Sequence, residues 1–324
     1  MQVDPELRRV KEEVEGELLS RPGVTGVDIG YKEVAGRPTD RLAIRVLVEK
    51  KRDVPEDEEI PKEIEGHPTD VIERRFELHV ARVPVGQIQL QQDVGIYDPL
   101  RGGIGIGPCR EIGGYVYVGT LGTFVVDRTT GLEQMLSNFH VMAVDEGHAV
   151  GDQMCNPARV DGGACPANVV GALRNQSLGG EVDCAVADHT ARAWAAEIVD
   201  VGAVRGTNQT AIGESVRKRG RTTLLTAGTV DTVDLTTTID YGNGIGEVML
   251  TRQIGINPDT QRNPKFSDHG DSGAVVVNDA NEVVGLNFAG DESGYAIANP
   301  ISSVLETLGV DMSTAEVTAD LPAA

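Results

Sequence analysis

Apolar residues along this chain change their spacing near residue 20 and again past residue 110. Leu7, Val10, Val14 and Leu18 recur at helical intervals, which predicts an amphipathic helix that Pro22-Gly23 ends. The stretch RLAIRVLVEKK alternates instead. Leu42, Ile44, Val46 and Val48 fall on one side and Ala43, Arg45, Leu47 and Glu49 on the other, predicting a strand with one buried face. A segment rich in Pro and acidic residues (54–63) and a short strand at 69–73 complete a small α+β unit over residues 1–80. Charge density falls beyond it, which argues for two units. Residues 81–113 read as a connector. From 114 onward, short apolar runs such as YVYVGTLGTFVV, VDCAVAD, GAVVVND and EVVGLNFAG are separated by Gly, Asn, Asp and Pro. Many short strands at this spacing predict a β-barrel or sandwich. In PISSVLETL, Ile301, Val304, Leu305 and Leu308 share one helical face, giving a short closing helix. The second unit therefore spans 114–310, and 311–324 read as a loose tail.

Composition sharpens this picture. Aromatic residues make up only 4% while Gly is frequent at 39 residues, which suits a turn-rich β protein with a core of Val, Ile, Leu and Ala. The formal net charge of −21 argues against a nucleic-acid binder, because phosphate attraction needs the opposite sign. No stretch of about 18 apolar residues is present to cross a membrane, and MQVDPELRRVKEEVEGELL lacks the apolar region of an export signal. A cytoplasmic setting is the expectation that follows. Four cysteines are too few for a disulfide framework in a chain of 324 residues. Cys155 and Cys165 flank a Gly-rich loop and are positioned to pair; the alternative is four reduced, mostly buried thiols. No Cys-x-x-Cys spacing supports zinc. GGIGIG (102–107) has Pro108 where a dinucleotide fingerprint needs its third Gly, so neither a cofactor nor a metal is expected.

Chemistry concentrates in three short segments. SDHGDSGAVVV sets Ser272 between glycines, as a nucleophile or as a polar residue in a tight turn. A nucleophilic serine needs a base, an acid to orient it, and amide N–H groups for the oxyanion. EQMLSNFHVMA offers His140, at the junction of a strand and a helical turn. GGEVDCAVADHT offers Asp183, a carboxylate among apolar neighbours that is costly to bury unless bonded. Alone, each has a bland alternative: a core histidine, a turn aspartate.

Their order, His140, Asp183, Ser272, resembles that of the trypsin-like (chymotrypsin-fold) serine peptidases. LSNFHV resembles that family's Leu-Thr/Ser-x-x-His segment, VDCAVA its Asp-Ile-Ala strand, and GDSGA its Gly-Asp-Ser-Gly-Gly signature. KRGRTTLLTAGTV resembles a strand of bacterial members such as streptogrisins and of the plant NARROW LEAF-type peptidases, with Leu224 in place of the usual Gly. The resemblance covers most of residues 20–310 and implies a chymotrypsin-like double β-barrel after the α+β unit, hence a mainly β chain. It also implies a His140–Asp183–Ser272 triad forming an acyl-enzyme, with the Gly270 and Ser272 amides as oxyanion hole. Asn287, Phe288 and Ala289 would line the peptide-binding strand and pocket mouth. Phe266, six residues before Ser272, would form the pocket base and favour small or apolar side chains.

Two departures qualify this resemblance. Ala274 replaces the second Gly, and no cleavage site precedes an Ile/Val-Val-Gly-Gly start. Asp271 is therefore expected to have an internal partner rather than a freed amino terminus. His269 reads as a rim residue. The expected partner is a peptide or protein substrate, cut by an endopeptidase or self-processing peptidase whose first unit orders the protease, occludes its cleft or assembles homo-oligomers. The alternative is a catalytically weak scaffold that binds peptides or protein partners.

Overall fold

The computed structural model describes residues 3–34, 36–55, 58–87, 93–189 and 192–315. The chain is mainly β, with a small α+β region at its start, as expected. Its helix, Pro5–Leu19, begins where Asp4 accepts the N–H of Glu6 with its carboxylate and Pro5 occupies the first turn. Leu7, Val10 and Leu18 pack against Val27, Ile29, Ile44 and Val46 of the two strands that follow, Val24–Val34 and Arg37–Val48.

These strands do not stand apart from the rest. Val24–Val34 pairs antiparallel with Leu224–Asp240, so the amino-terminal strands extend a sheet that is twelve-stranded among the described residues. Within that sheet six strands close on themselves, because Ser215–Gly220 pairs both with Leu224–Asp240 and with Val275–Val277. The barrel interior holds Val216, Val230, Ile254, Ile256, Phe266, Val276 and Val284.

Strand Arg37–Val48 was expected to bury one face, yet residues 43 to 47 are all buried. Ile44 and Val46 meet the helix, while Leu47 joins Leu235 and Phe288 beneath the sheet. Arg45 is buried with Asp28 (2.6 Å) and Asp231 (2.8 Å), a pairing that makes its burial tolerable. Lys11, also buried, bonds Glu15 and Asp234 and ties the helix to the same long strand.

A second sheet, nine-stranded among the described residues, surrounds Leu100, Ile106, Phe124, Met135, Met154 and Val170. Residues 81–113, expected as a connector, supply Ala81–Pro84 and Gly105–Pro108 to it. The helix Ile301–Leu308 covers the seam between the sheets with Ile301, Val304 and Leu305. Val310–Met312, which reaches from the second unit into the expected tail (311–324), adds an edge strand beside Thr123–Asp127, and residues 316–324 lie outside the described residues.

Cys109 pairs with Cys165, leaving Cys155 and Cys184 free and buried. Neither expectation for the cysteines holds. The strand Gln153–Cys155 carries Cys155 into the sheet, where its thiol donates to Gly107 O (3.5 Å), and the loop after it brings Cys165 round to Cys109 instead. The sulfurs of Cys109, Cys155 and Cys165 lie within 4.8 Å of one another, but the disulfide occupies two of them.

Candidate active site

The strand Glu133–Ser137 runs into a one-turn helix, Phe139–Met142, which holds His140 at its start. The neighbouring strand Val182–His189 presents Asp183, fully buried. Nδ1 of His140 lies 2.5 Å from Asp183 Oδ2, and the His140 backbone N–H donates to Oδ1 at 3.2 Å. The phenol of Tyr241 donates to the same Oδ2 at 2.9 Å. Burial and the adjacent carboxylate push the Tyr241 hydroxyl well above its ordinary pKa, so it stays a donor. Asn299 accepts the Asp183 N–H and Asn138 donates to its carbonyl. These contacts offset the cost of burying the carboxylate. Nε2 of His140 is buried and has no hydrogen-bond partner among the described residues.

Ser272 sits in a turn whose glycines are required by the backbone. Gly270 and Gly273 have φ of +98° and +94°, where a Cβ is strained. A Cβ on Gly273 would also lie 2.1 Å from Thr120 O. Thr120 ends a strand of the other sheet, Tyr115–Thr120, and clamps the turn: its N–H donates to Ser272 O (2.7 Å) and its hydroxyl to Gly270 O (2.9 Å). Val141, next to His140, and the backbone carbonyl of Ser272 both crowd Gly119, where a Cβ would lie 2.4 Å from Val141 Cγ2 and 2.9 Å from Ser272 O.

Asp271 has the internal partner expected of it. Lys218 Nζ lies 3.1 Å away, fully buried, and Thr222 N–H, Thr223 N–H, Asp268 N–H and the Thr223 hydroxyl all donate to the carboxylate. Burial would raise the Asp271 pKa, but Lys218 and these donors hold it below its ordinary value. Burial lowers the Lys218 pKa against the pull of Asp271.

The residues assigned to substrate binding divide. Phe266 is fully buried in the barrel core rather than at a pocket surface, while its neighbour Ser267 makes the pocket contact described below. Asn287 and Phe288 have buried side chains: Asn287 donates to Ser267 Oγ and Asp271 O, and Phe288 joins the core with Tyr241. Ala289 and Gly290, at the end of strand Glu282–Gly290, pair antiparallel with Leu78 and Glu77.

That pairing belongs to a longer feature with no counterpart in the expected site. Residues 77–81 run alongside the Ser272 turn. The His79 N–H donates to Phe288 O (3.4 Å), and its carbonyl accepts the Gly270 N–H (2.9 Å). The Ser272 hydroxyl donates to Phe288 O at 2.9 Å and lies 3.4 Å from His79 O. Beyond, Val80 O meets His269 Nδ1 at 3.0 Å, and Ala81 pairs with Val118. The His79 ring is 2% exposed, with Nδ1 2.9 Å from Ser267 Oγ. Gly290 leaves the ring room, since a Cβ there would lie 2.5 Å from His79 Cε1. Burial, with His269 nearby, pushes the His79 imidazole down to about 3, so it is neutral. A cavity of about 930 Å³ lies elsewhere, among Glu17, Arg21, Val48 and Ile60.

No family model matches the chain, and no curated protein matches it. Among solved structures it is similar to bacterial serine proteases. A glutamic acid specific serine protease described as using a histidine triad in substrate binding is 18% identical, with a TM-score of 0.48; the match covers 66% of this chain and 100% of that one. Protease A of Thermobifida fusca is 18% identical over 66% of this chain and 98% of its own, with a TM-score of 0.47. The chymotrypsin of Cellulomonas bogoriensis is 19% identical over 67% and 100%, with a TM-score of 0.45.

Proposed function

We propose that this protein is a trypsin-like serine peptidase that hydrolyses peptide bonds through an acyl-enzyme, of the bacterial kind that resembles the plant NARROW LEAF-type enzymes. Ser272 is the nucleophile. The observation that carries the reading is the pairing of His140 Nδ1 with Asp183, which leaves Nε2 buried and open, together with a Ser272 turn whose Gly270 N–H holds a peptide carbonyl. Rotation of the Ser272 side chain from Phe288 O toward His140 Nε2 sets up proton transfer. Asp183 fixes the imidazole tautomer and stabilises the imidazolium, and Gly270 N–H stabilises the developing oxyanion. The Lys218–Asp271 pair supports the turn from inside, without a freed amino terminus. Peptides or proteins are the substrates.

A fluorophosphonate probe tests this. Mass addition at Ser272, lost in Ser272→Ala and His140→Ala, is the expected result. The filled cleft favours a second reading, a peptide-holding scaffold with little turnover. That reading gains if Ser272 stays unmodified even after residues 77–81 are loosened by Leu78→Asp.

A further inference from the structure

We propose that the protein cuts its own chain between His79 and Val80, and that its pocket selects an imidazole on the acyl side of the scissile bond. The proposal rests on the peptidase reading of Ser272 and names the substrate of that same site.

Residues 77–81 lie as a substrate would. On the acyl side Glu77 and Leu78 add an antiparallel strand to Gly290 and Ala289, the β-augmentation by which a cleft reads an extended peptide. On the leaving side Ala81 pairs with Val118 of the other sheet. Between these two anchors the chain crosses from one sheet to the other, and the residue at the crossing has its carbonyl on the Gly270 N–H and within 3.4 Å of the Ser272 hydroxyl. The side chain of that residue is the one buried in a fitted pocket, bonded to Ser267, whose hydroxyl also accepts from Asn287. A carbonyl at an oxyanion donor, a side chain in a polar-lined pocket and a strand pairing on either side together set the His79–Val80 bond where a scissile bond lies.

The step balances within the chain and water. Ser272 Oγ adds to the His79 carbonyl carbon while His140 takes the hydroxyl proton. The C–N bond to Val80 breaks, and His140 returns the proton to the departing Val80 amine. Water then hydrolyses the His79–Ser272 ester, leaving a His79 carboxylate and a free Val80 amino group. The fragments remain together, because Val24–Val34 is a strand of the same sheet as the barrel and Lys11, Arg8 and Arg45 are paired across to Asp234 and Asp231.

The full chain is purified, held at neutral pH and followed by denaturing mass spectrometry and by gel filtration, beside Ser272→Ala and His79→Ala. Expected are fragments 1–79 and 80–324 that co-elute natively, no scission in Ser272→Ala, and scission at least tenfold slower in the fraction of His79→Ala that remains folded. A wild-type chain that stays whole while Ser272 takes the fluorophosphonate overturns self-cleavage and leaves the peptidase reading standing. So does a whole chain that takes the probe only after Leu78→Asp, since residues 77–81 then act as a plug. A whole chain unlabelled in both forms overturns both. Scission at another bond, or in Ser272→Ala, overturns the proposal.

Discussion

The carbonyl oxygen of His79 accepts the backbone N–H of Gly270 at 2.9 Å. Gly270 can offer that N–H because its φ of +98° turns the peptide inward, and a side chain there would strike Thr222 Oγ1 at 2.5 Å. A backbone donor two residues before a buried serine is thus already engaged by a carbonyl of the same chain.

Asp183 orients His140, so Asp183→Asn is expected to slow fluorophosphonate labelling of Ser272 by about ten-thousand-fold, as an amide imposes the wrong imidazole tautomer. Tyr241→Phe removes one donor from the carboxylate but leaves both His140 contacts, and a loss of about tenfold is expected. Equal losses in the two variants would contradict this ordering.

The docking of residues 77–81 depends on pH through His79. Its imidazole is held down to about 3 from an ordinary 6.5, so the released segment binds more protons than the docked one between those values. Docking is therefore strongest above about pH 6.5 and is lost progressively as pH falls. By about pH 5 it weakens by about 2 kcal/mol. Hydrogen exchange at the His79 and Leu78 amides reads this directly, and His79→Gln should flatten the dependence.

Lys218→Met leaves the Asp271 carboxylate buried beside hydroxyl and amide donors but no cation. A loss of about 3 to 5 kcal/mol in urea unfolding is expected. Because Asp271 lies between Gly270 and Ser272, probe labelling should fall in the fraction that remains folded. A neutral effect on both would mean the pair does not brace the turn.

Two free thiols, Cys155 and Cys184, should titrate in denaturant without reductant, and four with it. The Cys109–Cys165 link spans 56 residues, and Cys109→Ser with Cys165→Ser should destabilise by about 4 kcal/mol on loop-closure grounds.

Leu224 has a φ of +57° at the end of the turn that follows Gly220. A branched side chain is costly there, so Leu224→Gly is expected to raise stability by about 1 kcal/mol, measured from the urea midpoint.

Local chemistry made part of the site legible in the sequence. The helical spacing of Leu7, Val10 and Leu18, the strand-to-helix step before His140, and glycines flanking Ser272 each express a constraint met within a few residues. What escaped depends on distant partners. Arg45 alternates with apolar residues as an exposed position would, and its burial rests on Asp28 of the paired strand and on Asp231 far along the chain. Tyr241 lies in a polar turn region with nothing to mark it as a donor to Asp183. Residues 77–81 have no periodicity because their pairing alternates between two sheets rather than within one. Cys165 reaches Cys109 through the fold of a loop, where proximity in sequence favoured Cys155.

The attachment of the first strands to Leu224–Asp240 sets a timetable for folding. Lys11 and Asp234 are 223 positions apart, so a ribosome must release nearly three-quarters of the polypeptide before the opening helix finds its distant salt-bridge acceptor. Contacts of such long reach slow folding, and until then Val24–Val34 offers an unpaired edge to any neighbour. Nascent chains truncated before residue 224 should accordingly aggregate or recruit chaperones, whereas release of the whole polypeptide should cap that edge.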